Sequence, residues 1–215
     1  MQAKGPFTRQ LWQAIEGIYS EAIDHQFVLG LANGDLLKSY FAHYLSQDVL
    51  YIKDDNRALT LVSERAINSE QKEFFKSLAE DGLAIEKALH DEFLEHFKIE
   101  EAQEKSPVIK AYTDFLLSHV EHSEYSIAVA ALLPCFWLYN KVGAEIIKKS
   151  KPNNPYQKWI DTYQGDEYED FTSQFIQILE DLAEKANATT LEKMKEAFVE
   201  SARFELAFFE EAISF

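Results

Sequence analysis

The sequence predicts an all-α protein, a multi-helix bundle, and three observations carry that expectation. Apolar residues recur at the three- and four-residue spacing of a helix face along nearly the whole chain. With 7 Gly and 5 Pro in 215 residues, the chain lacks the frequent reversals of a sandwich or barrel. The breaks between stripes are short and built from turn-forming residues. At this length one domain over residues 1–215 is expected, able to bury a core without staples.

The elements follow in order. A first helix runs from about Phe7 to Ile23, with Leu11, Ile15, Ile18 and Ala22 on one face, and Asn33-Gly34 breaks the chain after it. A second starts at Asp35, read as its N-cap, carries Leu37, Phe41, Tyr44, Asp48 and Ile52, and reaches about Ala66. Asn68-Ser69-Glu70-Gln71 reads as a capping-box variant that opens a third helix, whose stripe continues through Phe75, Leu78, Gly82, Glu86, His90 and Phe93 to Phe97. Ser106-Pro107 opens the next, with proline in the favoured first position, and it carries Val108, Tyr112, Phe115 and His119. A long apolar helix spans about Glu124 to Lys149 and stops at Pro152-Asn153-Asn154-Pro155. A short helix holds Trp159 and Tyr163. Gly165-Asp166 starts another to about Lys185, and Thr189 with Glu192 forms a capping box for the last helix.

Charge and cysteine usage exclude several functions. A net charge of −16 leaves no electrostatic footprint for nucleic acid or an anionic membrane. No run of about 18 apolar residues suggests a membrane span. One cysteine makes no intrachain disulfide, so a reducing, cytoplasmic home is the simpler expectation.

Polar residues at positions where the helical period demands apolar ones are the informative signals. Glu205 sits mid-stripe among Met194, Phe198, Ala202 and Phe208. A carboxylate so placed has a raised pKa, as a general acid or base near neutrality requires. The structural alternative, a buried ion pair, finds few basic residues on neighbouring stripes. Asp48 shares a face with Phe41 and Tyr44 and is suited to grip N–H donors of a ligand, or equally a structural partner. Cys135, the lone cysteine, follows Pro134 inside the long helix, where proline frees the Ala130 carbonyl and bends the chain. Alone it reads more readily as an inert buried residue than as a nucleophile; a carboxylic acid nearby changes that. Glu86 and His90, spaced i, i+4, are a weak metal signal, because the paired Glu-x-x-His motifs of di-iron bundles are missing. No metal or cofactor is expected. Tyr44, Tyr51, Tyr112, Tyr139 and Tyr163 lie on or beside the faces holding these groups, and phenols around two carboxylates suit a flat, polar heteroaromatic ligand.

Several stretches resemble the TenA/thiaminase II family. Tyr44-Leu-Ser-Gln47-Asp48-Val-Leu-Tyr51 is similar to its Y-x-x-Q-D-x-x-Y, and Ala130-Ala-Leu-Leu-Pro134-Cys135-Phe-Trp137-Leu-Tyr139 to its A-A-L-L-P-C-x-W-L-Y. Tyr156-Gln-Lys-Trp159-Ile-Asp-Thr-Tyr163 resembles Y-x-x-W-I-x-T-Y, and Phe204-Glu205 with Phe208 resembles aromatic-E-x-x-F. The resemblance covers nearly the whole chain. It implies a haem oxygenase-like fold without haem, a homotetramer, and hydrolysis in thiamine salvage: release of the hydroxymethyl pyrimidine from an aminomethyl pyrimidine, cleavage of thiamine, or both. It also implies roles. Cys135 would add to the pyrimidine ring, Glu205 would protonate a ring nitrogen, Asp48 would hold the amino group, Tyr112 and Tyr163 would orient the ring, and Tyr51 and Tyr139 would complete the pocket. Gln26, Leu50 and Phe209 depart from the family pattern and are expected to alter the pocket wall. Two other readings compete: a non-catalytic pyrimidine- or thiamine-binding protein, which would need no thiol, and a metal-dependent oxygenase using Glu86 and His90.

Overall fold

In the computed structural model, residues 2–88, 94–161 and 166–215 are described, and among them there is no β-strand. The helices are α1 (Pro6–Asp24), α2 (Gln26–Asn33), α3 (Lys38–Glu64), α4 (Ser69–Ala88), α5 (Glu95–Phe97), α6 (Pro107–His122), α7 (Tyr125–Lys149), α8 (Gln157–Asp161), α9 (Asp166–Ala183) and α10 (Ala188–Ala212). The fold is all-α.

Local chemistry sets most boundaries. Ser106 caps α6, its hydroxyl accepting from the Ile109 N–H at 3.1 Å, with Pro107 in the first turn. Asn68 caps α4, its side-chain oxygen accepting from the Gln71 N–H at 2.8 Å. Three boundaries differ from the sequence reading. His25 takes an extended conformation and its ring Nδ1 accepts from the Phe27 N–H at 3.2 Å, so a separate helix α2 begins where none is expected. Asp35 does not cap α3. Gly34 turns through the left-handed region (φ 74°), and the Asp35 and Leu36 N–H groups both return to the Gly30 carbonyl at 3.1 Å. Those residues therefore belong to the exit turn of α2, and α3 begins only after Leu37. In α10 the cap is Asn187, which accepts from the Thr190 N–H at 3.0 Å, and Thr189 lies inside the first turn. Helix α4 is described to Ala88, and Phe97 lies on the short α5.

Helix α7 is the spine. It packs mainly on α10 and α9, while α3 packs mainly on α4 and α6. From Ile127 to Pro134 every residue of α7 is buried. A helix apolar all round belongs in a core. Contrary to the sequence expectation, α7 is long and apolar enough to cross a membrane by length and composition, and it is mostly buried within the fold. One contiguous apolar core joins these helices. It is interrupted by a cavity lined from α3, α4, α6, α7, α8, α9 and α10.

Candidate active site

Helix α3 supplies the longest wall of this cavity. Asp48, Tyr51, Ile52, Asp55, Asn56 and Leu59 recur at alternating spacings of three and one, which is one face of an α-helix, and all line a cavity of about 220 Å³. Tyr112 enters from α6, Cys135 and Tyr139 from α7, and Glu205 and Phe208 from α10. Six of the seven expected site residues thus face one space: Asp48, Tyr51, Tyr112, Cys135, Tyr139 and Glu205. Tyr163 and His90 lie outside the described residues, as does the side chain of Glu86.

Glu205 is 1% exposed. Burial pushes its carboxyl up to about 8; Asp55 and Asp48 push the same way, while the Tyr112 hydroxyl and the nearby Cys135 thiol oppose the rise. Tyr112 donates to Glu205 Oε1 at 2.5 Å, and its hydroxyl also lies 3.0 Å from Ser201 Oγ. The Tyr112 ring is fixed between two others, stacked on Tyr51 (centroids 5.1 Å apart) and on Phe204 (5.1 Å). The phenol therefore has little freedom, and its hydroxyl is aimed at the carboxyl.

Asp48 and Asp55 are both buried, and burial is the main reason each carboxyl is pushed up to about 7. Their neighbours act in opposite directions: Asp55 raises Asp48 further, while the Tyr51 hydroxyl favours the Asp55 anion. Burial pushes the Cys135 thiol well above its usual range, and Glu205 and Asp55 add to that, with Tyr51 opposing. Cys135 is a free thiol, partly exposed because it faces the cavity. No Lys, Arg or His lines the cavity among the described residues. Nor does any group of three or more His, Cys, Asp or Glu there come together as a metal would require.

The chemistry this permits is specific. At neutral pH Glu205 is mostly protonated and able to give a proton. The thiol beside it is not a free thiolate, so it reacts only if its proton is taken up as its sulfur attacks. Tyr139 shares a 2.9 Å hydrogen bond with Tyr44, which fixes that side of the wall. The Tyr51 hydroxyl is buried beside the Asp55 carboxyl and the Cys135 thiol, with no partner in good hydrogen-bond geometry among the described residues.

Several wall residues escaped the sequence reading, Asp81 and Tyr168 among them, and of these Asp55 and Asn56 stand out. Their signal was present: they are seven and eight residues beyond Asp48, on the same helical stripe. The three departures from the family pattern do not form the wall. Gln26 is exposed at the start of α2, Leu50 is half-buried off the cavity, and Phe209 packs behind it against Phe27 (5.6 Å) and Tyr139 (5.7 Å). The expectation fails because Leu50 precedes Tyr51 and Phe209 follows Phe208, and a one-residue step turns a helical side chain about 100° away.

The TENA/THI-4/PQQC family model matches residues 12–214. A thiamine biosynthesis multifunctional protein ThiED from Corynebacterium glutamicum is 32% identical over 212 residues, 99% of this chain and 27% of that protein. The chain spans about a quarter of the length of the ThiED proteins it matches, from Corynebacterium efficiens and Corynebacterium glutamicum. An aminopyrimidine aminohydrolase from Bacillus subtilis is 33% identical over 188 residues, 86% of this chain and 80% of that protein. A solved TenA homologue from Pyrococcus furiosus superposes with a TM-score of 0.91 at 23% identity, covering 96% of this chain and all of the other. That likeness extends the shared architecture to the whole fold.

Proposed function

The chain belongs to the TENA/THI-4/PQQC family, and on that premise we propose that it is a hydrolase of thiamine salvage, an aminopyrimidine aminohydrolase of the thiaminase II kind. Its reaction releases 4-amino-5-hydroxymethyl-2-methylpyrimidine from the corresponding 5-aminomethyl pyrimidine, with thiamine as a second substrate that yields the same product and the free thiazole. The observation that carries this reading is the cavity itself. It sets a thiol beside a carboxyl that holds its proton near neutrality, with a second carboxyl, Asp48, facing the same space.

The chemistry runs as covalent catalysis. Cys135 Sγ forms a bond to a ring carbon, the π pair of that bond moves to a ring nitrogen, and the nitrogen takes a proton from Glu205. The thiol proton replaces the one Glu205 gave, so no free thiolate forms. With aromaticity broken, the C–N bond at the exocyclic methylene breaks and its pair leaves with the amine nitrogen. Water adds to the methylene and gives its extra proton to the departed amine; the ring then expels the sulfur as it regains aromaticity, the sulfur taking the Glu205 proton and Glu205 taking back the one on the ring nitrogen. Asp48 accepts N–H bonds from the ring amino group and fixes which edge faces Glu205. Tyr112 keeps Glu205 aimed at the ring and, with Tyr163, orients the ring, while Tyr51 and Tyr139 supply aromatic and phenolic wall. The working unit is one domain over residues 1–215 assembled as a homotetramer in a reducing, cytoplasmic compartment, where Cys135 stays a thiol.

Turnover of each substrate by the wild-type protein and by Cys135→Ser tests the reading. Release of the hydroxymethyl pyrimidine by the wild type and its loss in the variant are expected. Equal release by both proteins overturns the thiol mechanism, and tight pyrimidine binding without release replaces it with a binding protein. Sedimentation equilibrium tests the tetramer.

A further inference from the structure

Asp55 and Asn56 lie on the cavity wall about two helical turns from Asp48. They are 7% and 5% exposed, and Asp55 Oδ1, Asn56 Oδ1 and Asn56 Nδ2 make no hydrogen bond. Buried polar atoms without partners destabilise a fold, so three of them together on a cavity wall mark groups that await a partner from outside the chain. Gly82 on α4 adds a second sign. A Cβ there would overlap the Asn56 amide, so the missing side chain is what lets that amide sit where it does. The chemistry described for the site uses neither residue.

We propose that Asp55 and Asn56 form a second polar subsite in the same cavity, one that holds the departing nitrogen group of the substrate and selects leaving groups that carry their own N–H bonds. The inference rests on the hydrolase reading and names the part of the substrate these residues recognise. Two acceptor oxygens, one from each residue, match a primary ammonium on the exocyclic methylene. A thiazolium leaving group has no N–H to give on its ring nitrogen, so it would leave both oxygens unpaired. A site built to hydrogen-bond a group rejects the analogue lacking it, because its own buried groups stay unsatisfied. The subsite also serves the chemistry. An amine leaves a carbon well only when protonated. Held as the ammonium beside the Asp55 carboxylate, it departs with the bond pair as neutral ammonia and needs no further proton. The overall balance is R–CH2–NH3⁺ plus water giving R–CH2–OH plus NH4⁺.

Binding separates this subsite from the reaction. In full-length Cys135→Ser, titration calorimetry compares the 5-aminomethyl pyrimidine with 4-amino-2,5-dimethylpyrimidine, which has the same ring and no leaving group. The aminomethyl compound is expected to bind more tightly by on the order of 10²-fold. Adding Asp55→Leu should erase that difference and leave dimethylpyrimidine binding within about threefold, which also shows that the variant is folded. Asn56→Leu, which keeps the charge, should reduce the difference by about tenfold, one lost hydrogen bond, and stands in if Asp55→Leu does not fold. Equal binding of the two compounds, or a difference that survives in the variants, overturns the subsite. Wild-type turnover, measured separately, reports on the hydrolase reading alone: a protein that prefers the ammonium yet releases no product keeps the subsite and loses the reaction.

Discussion

Two buried glutamates in this fold have opposite surroundings. Glu180 on α9 is 4% exposed, and its two oxygens accept from the Phe7 N–H at 3.1 Å and the Thr8 N–H at 2.7 Å. Those are orphan donors of the first turn of α1, which has no acidic residue of its own there. Gly5 leaves room for the carboxylate, because a Cβ at that position would overlap it. Glu205 on α10 is as deeply buried but has one phenol, one neighbouring thiol and two further carboxyls facing an open cavity. Burial alone therefore does not mark a reactive carboxyl. What differs is whether fixed backbone donors meet the carboxyl oxygens, as at Glu180, or other acids crowd the carboxyl, as at Glu205.

The sharpest way to break the comparison is at the cavity end. Cys135→Ser should take hydroxymethyl pyrimidine release below detection. Glu205→Gln keeps the size and removes the proton, and should lower kcat by about 10²–10⁴-fold, the span of a lost general acid. Both variants should bind the dimethylpyrimidine. A Glu205→Gln protein with near wild-type kcat would make Glu205 another buried carboxyl of the Glu180 kind.

What the sequence disclosed follows from the same contrast. Helix existence was legible because stripes at period 3.6 record burial, and Glu205 stood out as a polar break in such a stripe. Asp48 and Cys135 were legible through motif and stripe together. Asp55 and Asn56 continue the Asp48 stripe, but they stand inside the polar run Lys53-Asp54-Asp55-Asn56-Arg57, which looks like a solvated face, and only the packing of α4, with Gly82 opposite, shows that they are enclosed. Glu180 was invisible for another reason. Its partners are 172 and 173 residues away in the chain and are backbone atoms, which carry no residue signature. The start of α3 was misplaced because Asp35, a good cap by residue type, is held in the exit turn of α2 by the Gly30 carbonyl.

The Glu180 end is tested by stability. Glu180→Ala strands two backbone donors at the start of α1 and removes a charge that complements the helix dipole. It should lower unfolding free energy by about 3 kcal/mol in urea titrations, since hydrogen bonds to charged groups are worth about 1.5–3 each. Turnover per folded molecule should not change, because Glu180 does not line the cavity. A loss of kcat at full stability would give this carboxylate a second role.

The last prediction concerns pH and carries the smallest effect. Asp55 has an ordinary carboxyl pKa of 3.8 in the unfolded chain and about 7 when folded. Between those values the folded form holds a proton that the unfolded form has lost, so stability falls as pH rises through that window and levels off above it. One such group changes unfolding free energy by about 2 kcal/mol between pH 5.5 and 7, at 1.36 kcal/mol per unit. Asp48 and Glu205, whose carboxyls burial in the same cavity also pushes up, contribute slopes of the same sign. Asp55→Asn removes one of the three slopes and relieves the other two carboxyls of a neighbouring charge. The variant should therefore match the wild type near pH 5, exceed it by about 2 kcal/mol at pH 7, and show a flatter profile between. Glu180→Gln should show no such gain at pH 7, because its amide replaces a carboxylate that two N–H donors were holding. If Asp55→Asn instead destabilises the protein at pH 7, Asp55 is held by donors as Glu180 is, and the contrast between the two regions collapses.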